Sequence, residues 1–327
     1  MIPCRDAAGH LRPLLESLLA QSEPAVRIAL IDDASQDGSV ALAREVAGAR
    51  VDVHENPSAL GIGGNWNRCA ELVDTPYFCI AHQDDVYEPR FVERMCDELD
   101  ANPGAGMVHC RAAAIDGDGR PHSSPAERYK EHFWRAGHGD GRAEQYARLW
   151  SGNYICCPSV VYRTAAFRQA GPFRVDLQFA LDWEYWFRML RGGHDIAELG
   201  EVLLQYRRHP TAATRAATSE QWRFAEELAV LAEARAEGVA CGLLTDEAAV
   251  SPALRNNLLH ESLIDLQRGD HGAMRRKLEF VRKREPRLWG DPYVRAFRLL
   301  RRLGPPGRWL LTAGRDMAVR FGFGGAV

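Results

Sequence analysis

Between residues 1 and 110 the chain switches repeatedly between short apolar runs and longer stretches with apolar residues at helical spacing. Ile2-Pro3-Cys4 reads as the end of a short strand. From His10 to Ser22, the residues Leu11, Leu14, Leu15, Leu18 and Leu19 recur on one face and predict a helix. Val26 to Ile31 is a compact apolar run, broken by Asp32-Asp33-Ala34-Ser35-Gln36-Asp37-Gly38. Ser39 to Val46 predicts a second helix, and Val51 to Val53 a short strand. A Gly- and Asn-rich turn from Asn56 to Gly64 leads into a helical pattern from Trp66 to Val73. Tyr77 to Ala81 reads as a buried strand that stops at His82-Gln83-Asp84-Asp85. Phe91 to Leu99 is helical and Gly106 to Cys110 strand-like. Strands and helices alternating at this spacing imply right-handed crossovers on a mainly parallel sheet flanked by helices, an α/β fold. Ligands of such sheets bind at the carboxyl ends of strands, and both acidic clusters stand at strand ends.

Polar, Gly- and His-rich sequence from Ile115 to Gly141 reads as a long loop, and His132, Trp134 and His138 within it receive no role. Order resumes at Ser159 to Tyr162 and at Leu181 to Leu190, and Val202 to Tyr206 is one more strand candidate. From about residue 213 the pattern is mainly helical. The expected division is therefore a catalytic α/β domain over 1–212 and a helical extension over 213–327.

Composition narrows the classes. The 327 residues are 46% hydrophobic and 26% charged, an ordinary globular balance, and the net charge of −3 gives no reason to expect a nucleic-acid partner. The charge is unevenly spread. From Arg275 to Arg320 there are 14 Lys or Arg against 4 Asp or Glu, an excess of +10, so the remainder carries −13. Eight cysteines form no CxxC pair, which argues against zinc, and several sit in apolar runs as buried thiols do in a reducing compartment. No apolar stretch has the length of a signal peptide or a spanning helix. The expected setting is the cytoplasm.

Two strand ends carry candidate chemistry. At Asp84-Asp85, adjacent carboxylates repel and call for a positive partner. A divalent cation bridging to phosphate oxygens is the usual one; a turn or helix cap is the competing reading. At Asp32-Asp33 a carboxylate can accept from a pyrimidine N–H, against a turn with an N-cap by Asp37 or Ser39.

The order of these pieces carries a resemblance. Ile2-Pro3-Cys4-Arg5-Asp6, Leu18-Leu19-Ala20-Gln21, Ile31 to Ser39, Asn56, Gly61-Ile62-Gly63-Gly64-Asn65-Trp66-Asn67 and Gln83-Asp84-Asp85 with Pro89 resemble the family 2 glycosyltransferases over about residues 1–210. The resemblance implies a GT-A fold, a nucleotide-diphosphate sugar donor, inversion at the anomeric carbon and Mn²⁺ or Mg²⁺ as cofactor. It implies Asp33 at the nucleobase, with Pro3 and Arg5 in the same nucleotide pocket. Asp85 falls on the metal ligand, and Asp84 on its ribose or metal side. Arg5-Asp6 departs from the Tyr-Asn pair common there. Asn65, Asn67 and Arg68 could reach the donor or serve as caps. In Leu181-Asp182-Trp183-Glu184-Tyr185-Trp186-Phe187-Arg188, Asp182 falls on the catalytic base. The family's usual acidic residue before it is Leu181 here, which leaves Glu184 as a competing base. His209, in Tyr206-Arg207-Arg208-His209-Pro210, falls where a His completes the metal shell in some members. The acceptor implied is a glycan or lipid-linked glycan of the cell surface.

Two other classes stay open: a nucleotidyltransferase making nucleotide sugars, and a non-catalytic sugar-binding protein. The first usually carries a Gly-rich, basic N-terminal loop, and Pro3 to Pro13 is not one. In the tail, Arg295, Arg298, Arg301 and Arg302 share one helical face, with Phe297, Leu299, Leu300 and Leu303 over much of the other. That pattern suits peripheral contact with the inner membrane surface, or a helix packed on the core with a solvated basic face.

Overall fold

The computed structural model describes residues 1–23, 26–123, 130–131, 134, 141–209, 222–245, 251–304, 306–307 and 310–311. The expected loop between Ile115 and Gly141 lies largely outside them, as do His132, His138 and the segment at Arg308-Trp309. The chain forms two compact units. One comprises Met1–Ser123, Asp140–Gln145 and Ile155–Arg215; the other comprises Ser124–Gly139, Tyr146–Tyr154 and Ala216–Val327.

In the first unit the strands are β1 (Ile2–Cys4), β2 (Ile28–Asp32), β3 (Val51–Glu55), β4 (Tyr77–Cys79), β5 (Val86–Tyr87), β6 (Ala105–Ile115), β7 (Val160–Arg163) and β8 (Asp195–Arg207). Helices α1 (Leu11–Leu19), α2 (Ser39–Ala47), α3 (Gly61–Glu71) and α4 (Phe91–Ala101) connect the early strands. Strands β1, β2 and β3 pair in parallel. A second sheet runs β4-β7-β6-β8-β5, parallel only between β6 and β8. Parallel pairing thus holds for the first sheet, and the second is mixed.

Two further bonds link the sheets. Met1 N donates to Cys79 O at 3.0 Å and Ala81 N donates to Met1 O at 2.8 Å, the pattern of a parallel bridge. The N-terminal strands therefore lie in the order β3-β2-β1-β4. The chain winds outward from β1 to β3 and resumes on the other side of β1 with β4. That reversal creates a crevice between the carboxyl ends of β1 and β4, the topological switch point where open α/β sheets bind ligands.

Two elements begin earlier than the hydrophobic pattern predicts. Helix α3 starts at Gly61 rather than Trp66, because the carboxylate of Asp33, just after β2, receives the N–H groups of Leu60 and Gly61. Strand β8 starts at Asp195, its first half hidden by charged residues that pair along β6 through bulges.

One hydrophobic core is mostly aliphatic, with Leu11, Leu14, Leu15 and Leu18 of α1 and Met95 and Leu99 of α4 beside Phe91. A separate aromatic cluster comes from α3, β4, β7, helix Thr164–Ala170 and helix Leu181–Arg191. Its centre is Phe173, 5.2 Å from Trp66 and 4.5 Å from Tyr185 between ring centroids. Gly63 lets α3 approach the Phe173 segment: a Cβ there would stand 3.0 Å from Arg174 O and 3.2 Å from Val175 Cα. We expect Gly63→Ala to cost about 1–2 kcal/mol through this backbone clash, measured as a lower Tm with secondary structure retained.

The second unit holds the carboxyl-terminal part of Arg142–Ser151 and the helices Trp222–Ala240, Pro252–Arg268, His271–Arg284, Pro286–Trp289 and Pro292–Leu300. Tyr146 donates its hydroxyl to Ala234 O at 2.7 Å, and Trp150 Nε1 donates to Leu231 O at 3.3 Å. Buried Lys277 pairs with Asp265 at 2.8 Å and approaches Glu261 at 3.8 Å. Among the described residues no helix is long and apolar enough to cross a membrane.

Candidate active site at the strand ends

Asp33 follows β2 directly and is buried. Its Oδ1 accepts from Asn56 Nδ2 at 3.0 Å and Leu60 N at 2.7 Å; its Oδ2 accepts from Gly61 N at 3.0 Å. Asp33 thus holds the amino end of α3, where backbone N–H groups and the helix dipole favour a negative charge. Arg5 Nη1 stands 3.6 Å from Oδ2 on the open side. Asn56 is in turn fixed by Asn65, whose Oδ1 accepts from Asn56 Nδ2 at 3.0 Å while its own Nδ2 donates to Ile31 O at 3.0 Å.

The loops after β1 and β2 are tied together. Asp6 N donates to Ser35 Oγ, Ala7 N to Ser39 Oγ, Ala8 N to Asp37 Oδ2 and Gln36 N to Asp6 Oδ1, all at 2.8–2.9 Å. Asp6 and Ala34 occupy left-handed backbone at φ 48° and 61°. Non-glycine residues held in this region concentrate at functional sites. Gln83 closes the other side. Its Oε1 accepts from Arg5 N at 2.7 Å and its Nε2 donates to Arg5 O at 3.0 Å, binding the β4 end to the β1 end.

Asp85 is fully buried. Its Oδ1 accepts from Arg207 N at 2.8 Å, and among the described residues its buried Oδ2 has no hydrogen-bond partner. Burial, and then the charge of Asp84, push its carboxyl well above the ordinary carboxylate range, against the opposing pull of Arg207 and Arg208. Asp84 is partly exposed, and His209 Nε2 lies 2.8 Å from its Oδ2. The His10 ring lies 4.6 Å from that of His209; burial and the nearby His209 and Arg207 lower the His10 pKa. Arg207 braces the floor, donating to the carbonyls of Asp84, Asp116 and Gly117 at 2.8–3.1 Å. His82 is half-buried. Its Nε2 has no hydrogen-bond partner among the described residues, and its ring sits 5.4 Å from Trp66.

These donors can be tested against a divalent cation. Among the described residues no three His, Cys, Asp or Glu side chains converge as metal ligands. A hard cation that arrives with a diphosphate needs only one or two carboxylates from the protein. The orphaned Asp85 Oδ2, beside a second carboxylate, fits that requirement.

Helix Leu181–Arg191 carries the third signal. Asp182 lies in its first turn, partly exposed, and accepts from Trp183 N at 2.6 Å. Glu184 points elsewhere. Buried, it receives both Nε and Nη2 of Arg188, at 3.0 and 2.7 Å, while Arg188 Nη1 donates to Ala170 O and Pro172 O. That arrangement fixes the preceding loop to the helix.

The predicted residues therefore separate. Arg5 and Asp33 are in contact, as are Asp84 and His209, and Gln83 joins the two strand ends. Pro3 is a residue of β1, in register with Ile31. Asn65 supports Asn56 from within the fold. Arg68 is exposed in a pair with Glu71 at 3.1 Å. His10 and His82 had no assigned role in the sequence; the placement of each depends on residues distant in the chain.

Residues 1–171 match the family model described as glycosyl transferase family 2. That match covers more than half of the chain, and the chain belongs to this family. It is 24% identical to an uncharacterized glycosyltransferase of Rickettsia typhi over 225 residues, 67% of this chain and 66% of that protein. It thus spans just under two thirds of that relative's length. It is 28% identical to the amylovoran biosynthesis glycosyltransferase AmsE of Erwinia amylovora over 213 residues, 62% of this chain and 72% of that protein. Among solved structures it resembles the mannosyltransferase PcManGT of Pyrobaculum calidifontis, in complex with GDP-Man and Mn²⁺, with a TM-score of 0.55, 14% identity and coverage of 99% of this chain and 84% of that one. It also resembles S. aureus TarS in complex with UDP-GlcNAc, with a TM-score of 0.54, 14% identity and coverage of 86% and 90%. The fold is of the GT-A type.

Proposed function

We propose that this chain is an inverting, divalent-metal-dependent glycosyltransferase that moves a sugar from a nucleotide-diphosphate donor to an acceptor hydroxyl. The observation that carries this reading is the orphaned, buried Asp85 Oδ2 at the strand-order reversal, opposite the Arg5–Asp33 pair. Asp33 keeps acceptor capacity on Oδ2 for a nucleobase N–H, and Arg5 stands beside it to meet a base carbonyl or a phosphate. Asp85, with Asp84 and His209 at its side, would hold Mn²⁺ or Mg²⁺, which when bound offsets the charge of the leaving diphosphate. Asp182 takes the proton of the acceptor hydroxyl as the new bond forms. Asn65 and Gln83 act by holding the loops that carry these groups.

Residues 1–212 carry the chemistry in this reading and 213–327 form an appended helical region. The acceptor we favour is a cell-surface glycan or its lipid-linked precursor, as AmsE's role in amylovoran biosynthesis suggests. The setting we favour is the cytoplasm, in keeping with eight free cysteines. The test is donor hydrolysis and transfer by the purified chain, with UDP- and GDP-sugars, with and without Mn²⁺. Release of a nucleoside diphosphate with at least one sugar, dependent on metal, is expected. Binding without turnover for every donor would favour a sugar-binding protein. Pyrophosphate exchange would favour a nucleotidyltransferase.

A further inference from the structure

Helix Pro292–Leu300 and the turn Arg301–Leu303 that continues it bury Val294 and Phe297. Successive helical residues are about 100° apart, so the side opposite Val294 and Phe297 is centred on Leu299. Leu299 is 63% exposed and Leu303 is 54% exposed. They are one turn apart, with exposed Arg295 and Arg302 beside them. Among the described residues eight large hydrophobic side chains are exposed, and four of them, Tyr293, Leu299, Leu303 and Leu310, fall within this short stretch.

The arginines expected to line one face divide instead. Arg298 folds back over the Trp289 ring at 3.5 Å and donates to Trp289 O at 3.3 Å. Arg301 is half-buried. Partial burial first, and then neighbouring cations, lower both of their pKa values; the neighbours are Arg302, Arg295 and Arg282 for Arg298, and Arg302, Arg275 and Arg298 for Arg301. Six arginines are therefore close enough to repel. Repulsion is tolerated where a polyanion or anionic surface neutralises it.

We propose that this outward stripe, Leu299 and Leu303 with Arg295 and Arg302 along one side, is a docking surface for an anionic lipid bilayer. Leucines at the centre of the solvent side gain nothing from water and enter the acyl boundary. The arginines beside them meet lipid phosphates. A nucleic-acid surface would call for stacking aromatics between the cations, and the centre of this face is aliphatic. The charge complementarity with anionic headgroups favours lipid over a second copy of the chain, whose identical arginines would face one another.

The test is co-sedimentation of the full chain with vesicles of phosphatidylcholine alone and of phosphatidylcholine mixed with phosphatidylglycerol, at low and high salt. Binding to the mixed vesicles only, weakened by salt, is expected. Arg295→Gln and Arg302→Gln should each weaken it about fivefold. Leu299→Ser with Leu303→Ser should weaken it roughly tenfold. All four side chains are outside the core, so circular dichroism should not change. Unchanged vesicle binding by the leucine variant would overturn the proposal. So would binding to an oligonucleotide but not to vesicles, or a dimer that the leucine variant dissociates while the parent ignores lipid. No donor enters the assay, so its failure is distinct from failure of the glycosyl-transfer reading.

Discussion

Asp85→Asn should abolish metal-dependent donor binding and leave the unliganded protein at least as stable as before. The two effects share one cause. Without donor the carboxylate is fully buried, with one oxygen bonded to Arg207 N and the other, among the described residues, without a partner. A buried charge with half its valence unmet is costly, and Asp84 beside it adds to the cost. Asn keeps the Arg207 bond and removes the charge. We expect about 1 kcal/mol of added stability, roughly 2–4 °C in Tm. The same substitution removes the counter-charge on which donor affinity with Mn²⁺ rests, so a loss of about 10²-fold or more in affinity is expected. The pH dependence has a definite sign. The folded carboxyl titrates above its ordinary value of 3.8, so without metal the parent protein loses stability as pH rises from that value through the folded one. The variant lacks this loss, and the gap in Tm between the two should widen over that window. Titration calorimetry of donor with and without Mn²⁺, beside thermal melts across pH, checks both. Donor affinity that keeps its metal dependence in the variant would exclude Asp85 as the ligand.

The strand ends were legible because period and punctuation coincide there. Tyr77 to Ala81 is too apolar to be anything but buried, and the polar run His82-Gln83-Asp84-Asp85 marks where the strand stops, although Asp85 itself stays buried. What the sequence could not express were the partners. Asp33 reads as a turn residue or a base binder, and the structure gives its carboxylate to the amino end of α3, 27 and 28 residues onward. That bond is also why the helix begins within Gly61-Ile62-Gly63-Gly64, against the low helix propensity of glycine. Asn65 looked like a donor contact from its neighbours in sequence, whereas its two polar atoms are taken by Asn56 and Ile31. The first half of β8 was hidden because its Asp195, Glu198 and Glu201 break the apolar signal; Glu198 sits directly across from buried His109 on β6, 3.7 Å away. In the tail, a helical wheel groups four arginines, but it cannot know which side meets the protein. Trp289 decides that by drawing Arg298 inward.

Asp182→Asn should lower turnover by roughly 10²–10⁴-fold and leave donor affinity nearly unchanged, the loss expected of a positioned general base. Asn matches Asp in size and can still accept from Trp183 N, so the helix start is preserved. Glu184→Gln should do the reverse. Its carboxylate is buried and bidentate on Arg188, so a neutral amide leaves the guanidinium short of charge. The expected cost is about 2–3 kcal/mol of stability, below the ~3–5 kcal/mol of a fully orphaned partner, because Arg188 keeps the carbonyls of Ala170 and Pro172. Turnover in Glu184→Gln should fall by less than about tenfold, as the loop before Asp182 loosens. The two substitutions are two residues apart on one helix, yet they separate chemistry from architecture: one moves kcat and not Tm, the other moves Tm and little else. Transfer rates at saturating donor, paired with thermal melts of the same preparations, distinguish them. If Glu184→Gln were the inactive enzyme at unchanged Tm and Asp182→Asn remained active, the base would have to be Glu184, and the Glu184–Arg188 pair would have to open in the donor complex.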